Sequence, residues 1–473
     1  MRMRLAQAGL HLQDCRTRLP FRFGMHTLTS APLGTLHVQM LIEGGGAGDG
    51  HASDLLVPKW FEKDPAKTPA EDIDALIASA TTAIDVATEL GNQHRTVFDL
   101  CQEIWNHCLD GIPIDAPDRL VHGWGPSLVE RAIIDAACRA ATLPFHEALR
   151  SGLLAFDAGR LDDAVADWTP DQLAPPRDTI TLRHTVGLAD ALHRSEIQDP
   201  VNDGLPESLD EDIEAHGLTH FKVKVGGDIE QDLDRLLRVA DVVLSRVETP
   251  AFTLDGNEQY RSMSAVAELL DRLNENPQGK HLLENLLLIE QPLSRSITFQ
   301  EEPNQGIEKV SAHAPVIIDE ADGDRDSLHR AAALGYGGVS AKNCKGVFRA
   351  VLNRARCQGT GLVLSAEDLT TLPVIAVQQD LVTVATLGLT HVERNGHHYF
   401  RGLDHLPGEE ADLALHHHPD LYERHGQGDT RLRIRDGALE ISSLHQPGFG
   451  YAEPPDLSLR TPVDQWQGSE DLG

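Results

Sequence analysis

From residue 179 onward, short apolar runs alternate with stretches long enough to form helices. Eight such runs occur: Ile180–Leu188, Phe221–Val225, Ala251–Leu254, Leu286–Ile289, Pro315–Ile318, Gly338–Ala341, Gly361–Leu364 and Leu387–Val392. Successive runs end roughly 23 to 37 residues apart, which is close to one βα unit each. Eight units of this size predict an α/β fold with a (β/α)₈-type barrel, and an open doubly wound sheet is the structural alternative.

The pattern before residue 60 is different. Met3–Leu12 and Thr35–Glu43 alternate enough to predict half-buried strands, separated by the Pro- and Gly-containing segment Leu19–Gly34. The glycine-rich run Gly44–Gly50 contains no G-x-G-x-x-G and starts no clean helix, so we interpret it as a hairpin loop and not a phosphate loop.

Helices are predicted between residues 69 and 150. Thr68–Glu71 has the pattern of a helix cap with proline at the first turn. Ser127–Arg150 has one broad apolar face, with Pro144 as a breaker. After residue 400 the chain returns to short strands, at Leu432–Ile434 and Ala438–Ile441.

Charge and composition restrict the partners. The formal net charge of −32 would repel nucleic acid, and no apolar run of about 18 residues predicts a membrane span. The first residues lack the apolar core of a secretory signal, and six cysteines without a CxxC pair indicate reduced thiols, so we expect a cytoplasmic protein. Nine lysines against 32 arginines, with Asp exceeding Glu, fit either a salt-rich cytoplasm or a GC-rich genome.

Acidic residues close three successive predicted strands. Asp255, Glu290 and Asp319 each directly follow an apolar run. The carboxyl ends of barrel strands converge on one mouth, where three carboxylates without a cation would repel each other. A hard divalent cation removes that repulsion, so the pattern predicts a Mg²⁺ site, with Mn²⁺ as the alternative ion.

Lysines flank the acids. Lys222 and Lys224 end the strand before them, and Lys342 and Lys345 follow the strand after them, so four of the nine lysines lie in two short motifs. Arginine cannot lose its proton, whereas a lysine beside a cation or another ammonium can have a lowered pKa and act as a base. The concentration of lysines therefore indicates acid/base chemistry.

This ordered set resembles the enolase superfamily, and within it the muconate-lactonizing-enzyme subgroup. The resemblance implies an α+β capping domain over residues 1–175, which includes the helix VERAIIDAACRAATLPFHEALR, a modified barrel over 176–400, and a segment over 401–473 in which DGALEISSLHQPGFGY returns to the cap. It implies that Asp255, Glu290 and Asp319 bind Mg²⁺, and that Lys224 and Lys342 are the acid/base catalysts. Supporting roles are implied for Lys222, Lys345, Asn257 and Glu367, and Glu320 is the alternative metal ligand.

The resemblance also implies the reaction class. The shared step is removal of the proton α to a carboxylate of a small acid, followed by racemisation or epimerisation, cycloisomerisation or syn-dehydration. We also expect a homo-oligomer. Two cap segments, Leu19–Pro32 and Gly48–Lys59, are expected over the mouth, with four substrate neighbours: Phe21, Phe23, Met25 and His26.

Alternatives from the same residues stay open. The eighth strand end, HVERNGHHYFRG, lacks the Asp-x-Asp pair of dipeptide epimerases, and the lysine at Lys342 makes a sugar-acid dehydratase the weaker alternative within the family. A carboxylate-binding barrel that has lost catalysis, or a Schiff-base lysine enzyme on a plain barrel, would need fewer of these side chains.

Overall fold

The computed structural model describes residues 1–426 and 428–468. Its strands are β1 Arg2–Phe23, β2 His26–Ile42, β3 Ala47–Leu55, β4 Arg95–Thr96, β5 Thr179–Val186, β6 His220–Lys224, β7 Ala251–Asp255, β8 Leu286–Glu290, β9 Val316–Ile318, β10 Gly338–Ala341, β11 Val363–Ala366, β12 His391–Arg394, β13 Tyr422–His425, β14 Asp429–Leu432, β15 Ile434–Arg435, β16 Ala438–Glu440 and β17 Thr461–Pro462.

Its α-helices are α1 Pro69–Leu90, α2 Val97–Leu109, α3 Arg119–Ala140, α4 Phe145–Arg150, α5 Leu209–His216, α6 Ile229–Leu244, α7 Met263–Asn274, α8 Pro277–Glu284, α9 Ile307–Ser311, α10 Ser327–Ala333, α11 Val347–Cys357, α12 Ile375–Thr386, α13 Gly396–Tyr399 and α14 Glu410–His417. Among the described residues, none of these helices combines the length and apolarity needed to cross a membrane.

The predicted barrel is confirmed. β5 to β12 pair in sequence order and in parallel, and β12 pairs with β5, which closes the sheet. The inner and outer faces of these strands are nearly all buried, as expected for a parallel sheet covered by helices. β12 begins four residues after the predicted start, because Leu387–Leu389 form the turn after α12, with Gly388 in a left-handed conformation.

The N-terminal sheet corrects the predicted loop at Leu19–Gly34. β1 and β2 form one long antiparallel hairpin that pairs from Met3 with Ile42 to Phe23 with His26. Only Gly24 and Met25 form the turn, and Gly24 has a positive φ of 49°. Pro20 is accommodated because it lies in an irregular stretch of the ladder between Arg16 and Phe21.

The cap helices pack on this sheet. The predicted cap of α1 is confirmed, since Thr68 and Glu71 form a reciprocal capping box. The predicted hairpin loop over Gly44–Gly50 is confirmed only in its first part, since β3 begins at Ala47, and the glycines within β3 have a second role. A Cβ on Gly50 would lie 2.2 Å from the carbonyl oxygen of Ala132, so glycine lets β3 approach α3 closely.

The C-terminal segment divides between the two sheets. β16 pairs with β5 of the barrel and β15 pairs with β16, so these strands do not join the cap sheet as the resemblance implied. Farther along, the Phe449 amide donates to Asp135 of α3, and β17 pairs with β1.

Candidate active site at the barrel mouth

The carboxyl ends of the barrel strands bring the predicted acids and lysines together. Lys224, Asp255 and Glu290 are register partners on β6, β7 and β8. β10 stands four places from β6 in the closed eight-strand order, so Lys224 and Lys342 rise from opposite walls. Asp255, Glu290 and Asp319 are completely buried, and Lys224 and Lys342 are each 5% exposed.

Lys222 contacts four of the carboxylates that point into the barrel. Its Nζ lies 2.9 Å from Asp255 Oδ2 and 2.7 Å from Glu290 Oε2. It also lies 2.9 Å from Glu367 Oε2 and 2.8 Å from Glu393 Oε2. Burial lowers the pKa of Lys222, but these carboxylates outweigh it and hold that pKa well above its ordinary value. Lys222 is therefore a fixed cation, since four acids surround it.

Lys224 and Lys342 are less surrounded. Lys224 Nζ donates to Asp255 Oδ2 at 2.6 Å, and Lys342 Nζ donates to Asp319 Oδ2 at 2.7 Å. The ammonium of Lys342 also lies 4.5 Å from the ring centroid of Trp60. Burial lowers the pKa of Lys342 but Asp319 more than offsets this, so the expected lowering of that pKa is not found.

Lys345 is held differently from Lys342, although both belong to one motif. Its Nζ donates to Ser340 Oγ at 2.7 Å and to the Ser340 carbonyl at 2.9 Å. It also lies 3.3 Å from Asp319 Oδ1 and 3.2 Å from Asp322 Oδ2. With so many acceptors, Lys345 is an anchor for the β9 and β10 ends and has little freedom to move a proton.

The acids retain oxygens that a hard cation could use. Glu290 Oε1, Asn257 Oδ1 and Glu320 Oε2 are buried and have no hydrogen-bond partner among the described residues. Burial, with Asp255 and Glu367, raises the pKa of Glu290 well above its ordinary value. At Asp319 burial acts to raise the pKa, but Lys342, Lys345 and Lys222 outweigh it and hold that pKa well below its usual range. Orphaned buried carboxylate oxygens fit Mg²⁺ chemistry.

Asn257, Glu320 and Glu367 have defined partners. Asn257 Nδ2 donates to Glu320 Oε1 at 3.1 Å. Glu367 pairs with Arg183 of β5 as well as with Lys222. Two buried cations thus hold Glu367, and they keep its pKa below its usual range against the raising effect of burial.

Four residues of the mouth lie outside the sequence prediction. Trp60 and Lys63 follow the predicted cap segment Gly48–Lys59, much of which is strand β3. Lys63 Nζ lies 3.1 Å from Glu320 Oε1 and 2.7 Å from Glu258 Oε2. The other two are Arg183 and Glu393. The alternation of β5 and the sequence His391–Arg394 predict where they point, but the predicted eighth strand ended two residues too early, at Val392, and so left out Glu393.

The expected substrate neighbours occupy the hairpin of β1 and β2. Phe21 and Phe23 are buried, and Phe21 stacks on Tyr399 with ring centroids 4.2 Å apart. Met25 at the turn is 61% exposed, and His26 packs edge-on against Phe23. The neighbouring Gly24 faces Asn257 and Gln259, so the turn lies beside the β7 end of the mouth.

Comparison with known proteins identifies the family. A family model described as enolase C-terminal domain-like matches residues 205–454, which is more than half of the chain. The chain therefore belongs to this family, and the resemblance to the enolase superfamily of mandelate racemase and muconate lactonizing enzymes is confirmed. No curated protein matches the chain at a significant level.

Solved structures share the fold along nearly the whole chain. N-succinyl Arg/Lys racemase from Bacillus cereus has a TM-score of 0.62 at 14% identity, covering 98% of both chains. 2-Chloromuconate cycloisomerase from Rhodococcus opacus has a TM-score of 0.61 at 16% identity, covering 95% of this chain and 97% of that one. An enolase from Bradyrhizobium, complexed with magnesium and mandelic acid, has a TM-score of 0.61 at 15% identity, covering 96% of each chain.

Proposed function

We propose that the protein is a Mg²⁺-dependent enzyme that removes the proton α to the carboxylate of a small organic acid. The outcome is racemisation or epimerisation, cycloisomerisation or syn-dehydration. The observation that carries this proposal is the pair of lysines on opposite walls, each bound by a single carboxylate, on either side of three buried acids.

The lysines divide into two kinds. Lys222 and Lys345 are surrounded by acceptors and fix the charge of the mouth. Lys224 and Lys342 each donate to a single carboxylate, so each has further N–H groups that can point toward a substrate. A neutral lysine takes the α-proton as a new N–H bond while the C–H electrons pass into the carboxylate, and an ammonium opposite returns a proton to the other face. Paired with Asp319, Lys342 is an ammonium, so it must first lose a proton to act as base.

The metal ligands we propose are Asp255, Glu290 and Asp319, with Glu320 as the alternative. Mg²⁺ held there would stabilise the negative charge that develops on the substrate carboxylate. The neighbouring Bradyrhizobium structure contains magnesium, which supports this choice of ion.

The substrate would lie under the cap segment that contains Trp60 and Lys63. Trp60 covers Lys342, and Lys63 reaches Glu320, so this segment lies over the Lys342 side of the mouth. Glu393 is bound to Lys222 and Thr185, which leaves it poorly placed to bind the ammonium of a dipeptide. This arrangement favours an acid without a free amino group.

The test is α-proton exchange in D₂O, with and without Mg²⁺. The panel follows the neighbours' names: N-succinyl amino acids, mandelate and chloromuconate, with dipeptides as the disfavoured class. Mass spectrometry should show Mg²⁺-dependent deuterium uptake or conversion for at least one acid. The matched variant Glu290→Gln removes the charge of one proposed metal ligand. It should bind Mg²⁺ more weakly in calorimetry and should lose the exchange. An acid that binds the Mg²⁺-loaded protein but never exchanges or converts would instead indicate an inactive carboxylate-binding barrel.

A further inference from the structure

A second cluster of ionisable groups lies on the other side of β5. Arg183 and Thr185 point into the barrel, where they contact Glu367 and Glu393. Successive side chains of a strand point to opposite faces, so His184 points outward. There it meets Asp212 of α5 and His397 of α13.

The three side chains place their donor atoms close together. His184 Nδ1 lies 3.0 Å from His397 Nε2, and His184 Nε2 lies 3.9 Å from Asp212 Oδ2. One donor atom from each residue can be chosen so that all three lie within 4.8 Å of one another. Bonds of 2.0–2.1 Å in a tetrahedral zinc site put the donor atoms about 3.4 Å apart. Side-chain rotations that move the donor atoms by roughly an ångström would therefore bring all three to this spacing.

Two further histidines surround Asp212. His216 follows it by one helical turn, with Nε2 3.8 Å from Asp212 Oδ1. His398 Nδ1 lies 2.8 Å from Asp212 Oδ2. His184, Asp212, His216 and His398 are all at most 6% exposed. Four imidazoles around one carboxylate are more than a single ion pair requires.

The cluster contains a polar atom that no neighbour uses. His397 Nδ1 forms no hydrogen bond with any described residue, whereas Asp212 Oδ2 has the ion pair with His398 Nδ1. A cavity of about 30 Å³, roughly one water in size, is lined by His216 and His397 and offers an approach from outside.

We propose that His184, Asp212 and His397 bind a zinc ion at this place. His216 is the fourth ligand, and His398 orients Asp212 from the outer shell. Imidazole and carboxylate suit Zn²⁺, whereas Mg²⁺ prefers oxygen alone, so this site is chemically separate from the barrel mouth. His184 pairs in register with Arg394, where β12 pairs with β5 and closes the barrel. The zinc would therefore stabilise the barrel at this closure.

The test uses untagged full-length protein. Dialysed against a chelator, the wild type should take up one equivalent of Zn²⁺ in competition with a chromophoric chelator, and its Tm should rise on loading. Cobalt in place of zinc should give the visible bands of a four-coordinate site. His184→Gln should weaken zinc binding by more than about 100-fold.

Two controls locate the zinc. Glu290→Gln alters the barrel mouth, and a His416→Ala/His417→Ala double variant removes two histidines of an exposed run; both should retain the zinc equivalent. Because the wild-type titration needs no variant, misfolding of His184→Gln cannot obscure the result. Wild type that takes up no zinc at micromolar concentration, or that loses it only in the His416/His417 variant, would overturn the proposal and leave a hydrogen-bonded histidine cluster.

Discussion

The barrel mouth and the histidine cluster lie on opposite faces of the same strand, β5. The two regions differ in the groups that surround their buried charges. The mouth combines carboxylates with lysines, so each buried charge has an opposite partner, as between Lys222 and Glu290. The cluster contains one carboxylate, Asp212, which raises the pKa of His398, while burial lowers the pKa of His184 and His397. Replacing a lysine of the first region should therefore destabilise the fold more than replacing His184 of the second.

The largest expected effect is that of Lys222→Met. Four buried carboxylates would lose their shared cation, and breaking buried pairs of this kind costs about 3–5 kcal/mol. His184→Gln, measured without zinc, should cost only about 1 kcal/mol, the value of one hydrogen bond. Urea unfolding at pH 7 measures both. Equal losses would contradict the contrast between the two regions.

Within the mouth, Lys345→Met and Lys342→Met should separate stability from chemistry. Lys345 anchors Asp319, Asp322 and Ser340, so its loss should cost about 2–3 kcal/mol, less than a full buried pair because Lys342 still neutralises Asp319. Lys342→Met should be more stable than Lys345→Met but should lose exchange from one enantiomer of a chiral substrate. If Lys342→Met retains activity while a folded Lys345→Met is inactive, Lys345 is the catalytic lysine of the motif.

The smallest expected effect concerns the surface. With a net charge of −32, self-repulsion should weaken as salt rises, whereas the buried groups of both regions are little screened. The Tm should rise by a few degrees between low and molar salt, in the wild type and in His184→Gln alike. A flat or falling curve would favour a genomic origin of the acidic composition.

Much of the barrel and its charged strand ends could be predicted, because both depend on local patterns. Each strand is one apolar run, and the acids at the carboxyl ends of β7, β8 and β9 meet at one mouth whatever the details of the helices. Only the far part of the hairpin of β1 and β2, Leu19–Gly34, was mispredicted as a loop, because Pro20 indicates a break but lies in an irregular part of the ladder.

Long-range contacts explain what the sequence did not reveal. Lys63 reaches Glu320 across 257 positions, and His184 meets His397 only because the barrel closes. No spacing in the chain encodes either contact. Glu393 was missed for a local reason. The apolar residues Leu387 and Leu389 belong to the turn after α12, and because they are apolar the strand was predicted too close to the N-terminus.

The central claim is that Lys224 and Lys342 act on opposite faces of one α-carbon. With any chiral acid that the wild type exchanges, each enantiomer should be incubated separately in D₂O with Mg²⁺ and followed by NMR. Lys224→Ala should lose exchange from one enantiomer and Lys342→Ala from the other, each by at least about 100-fold, with Mg²⁺ still bound. Retention of exchange from both enantiomers in both variants would contradict the two-lysine account.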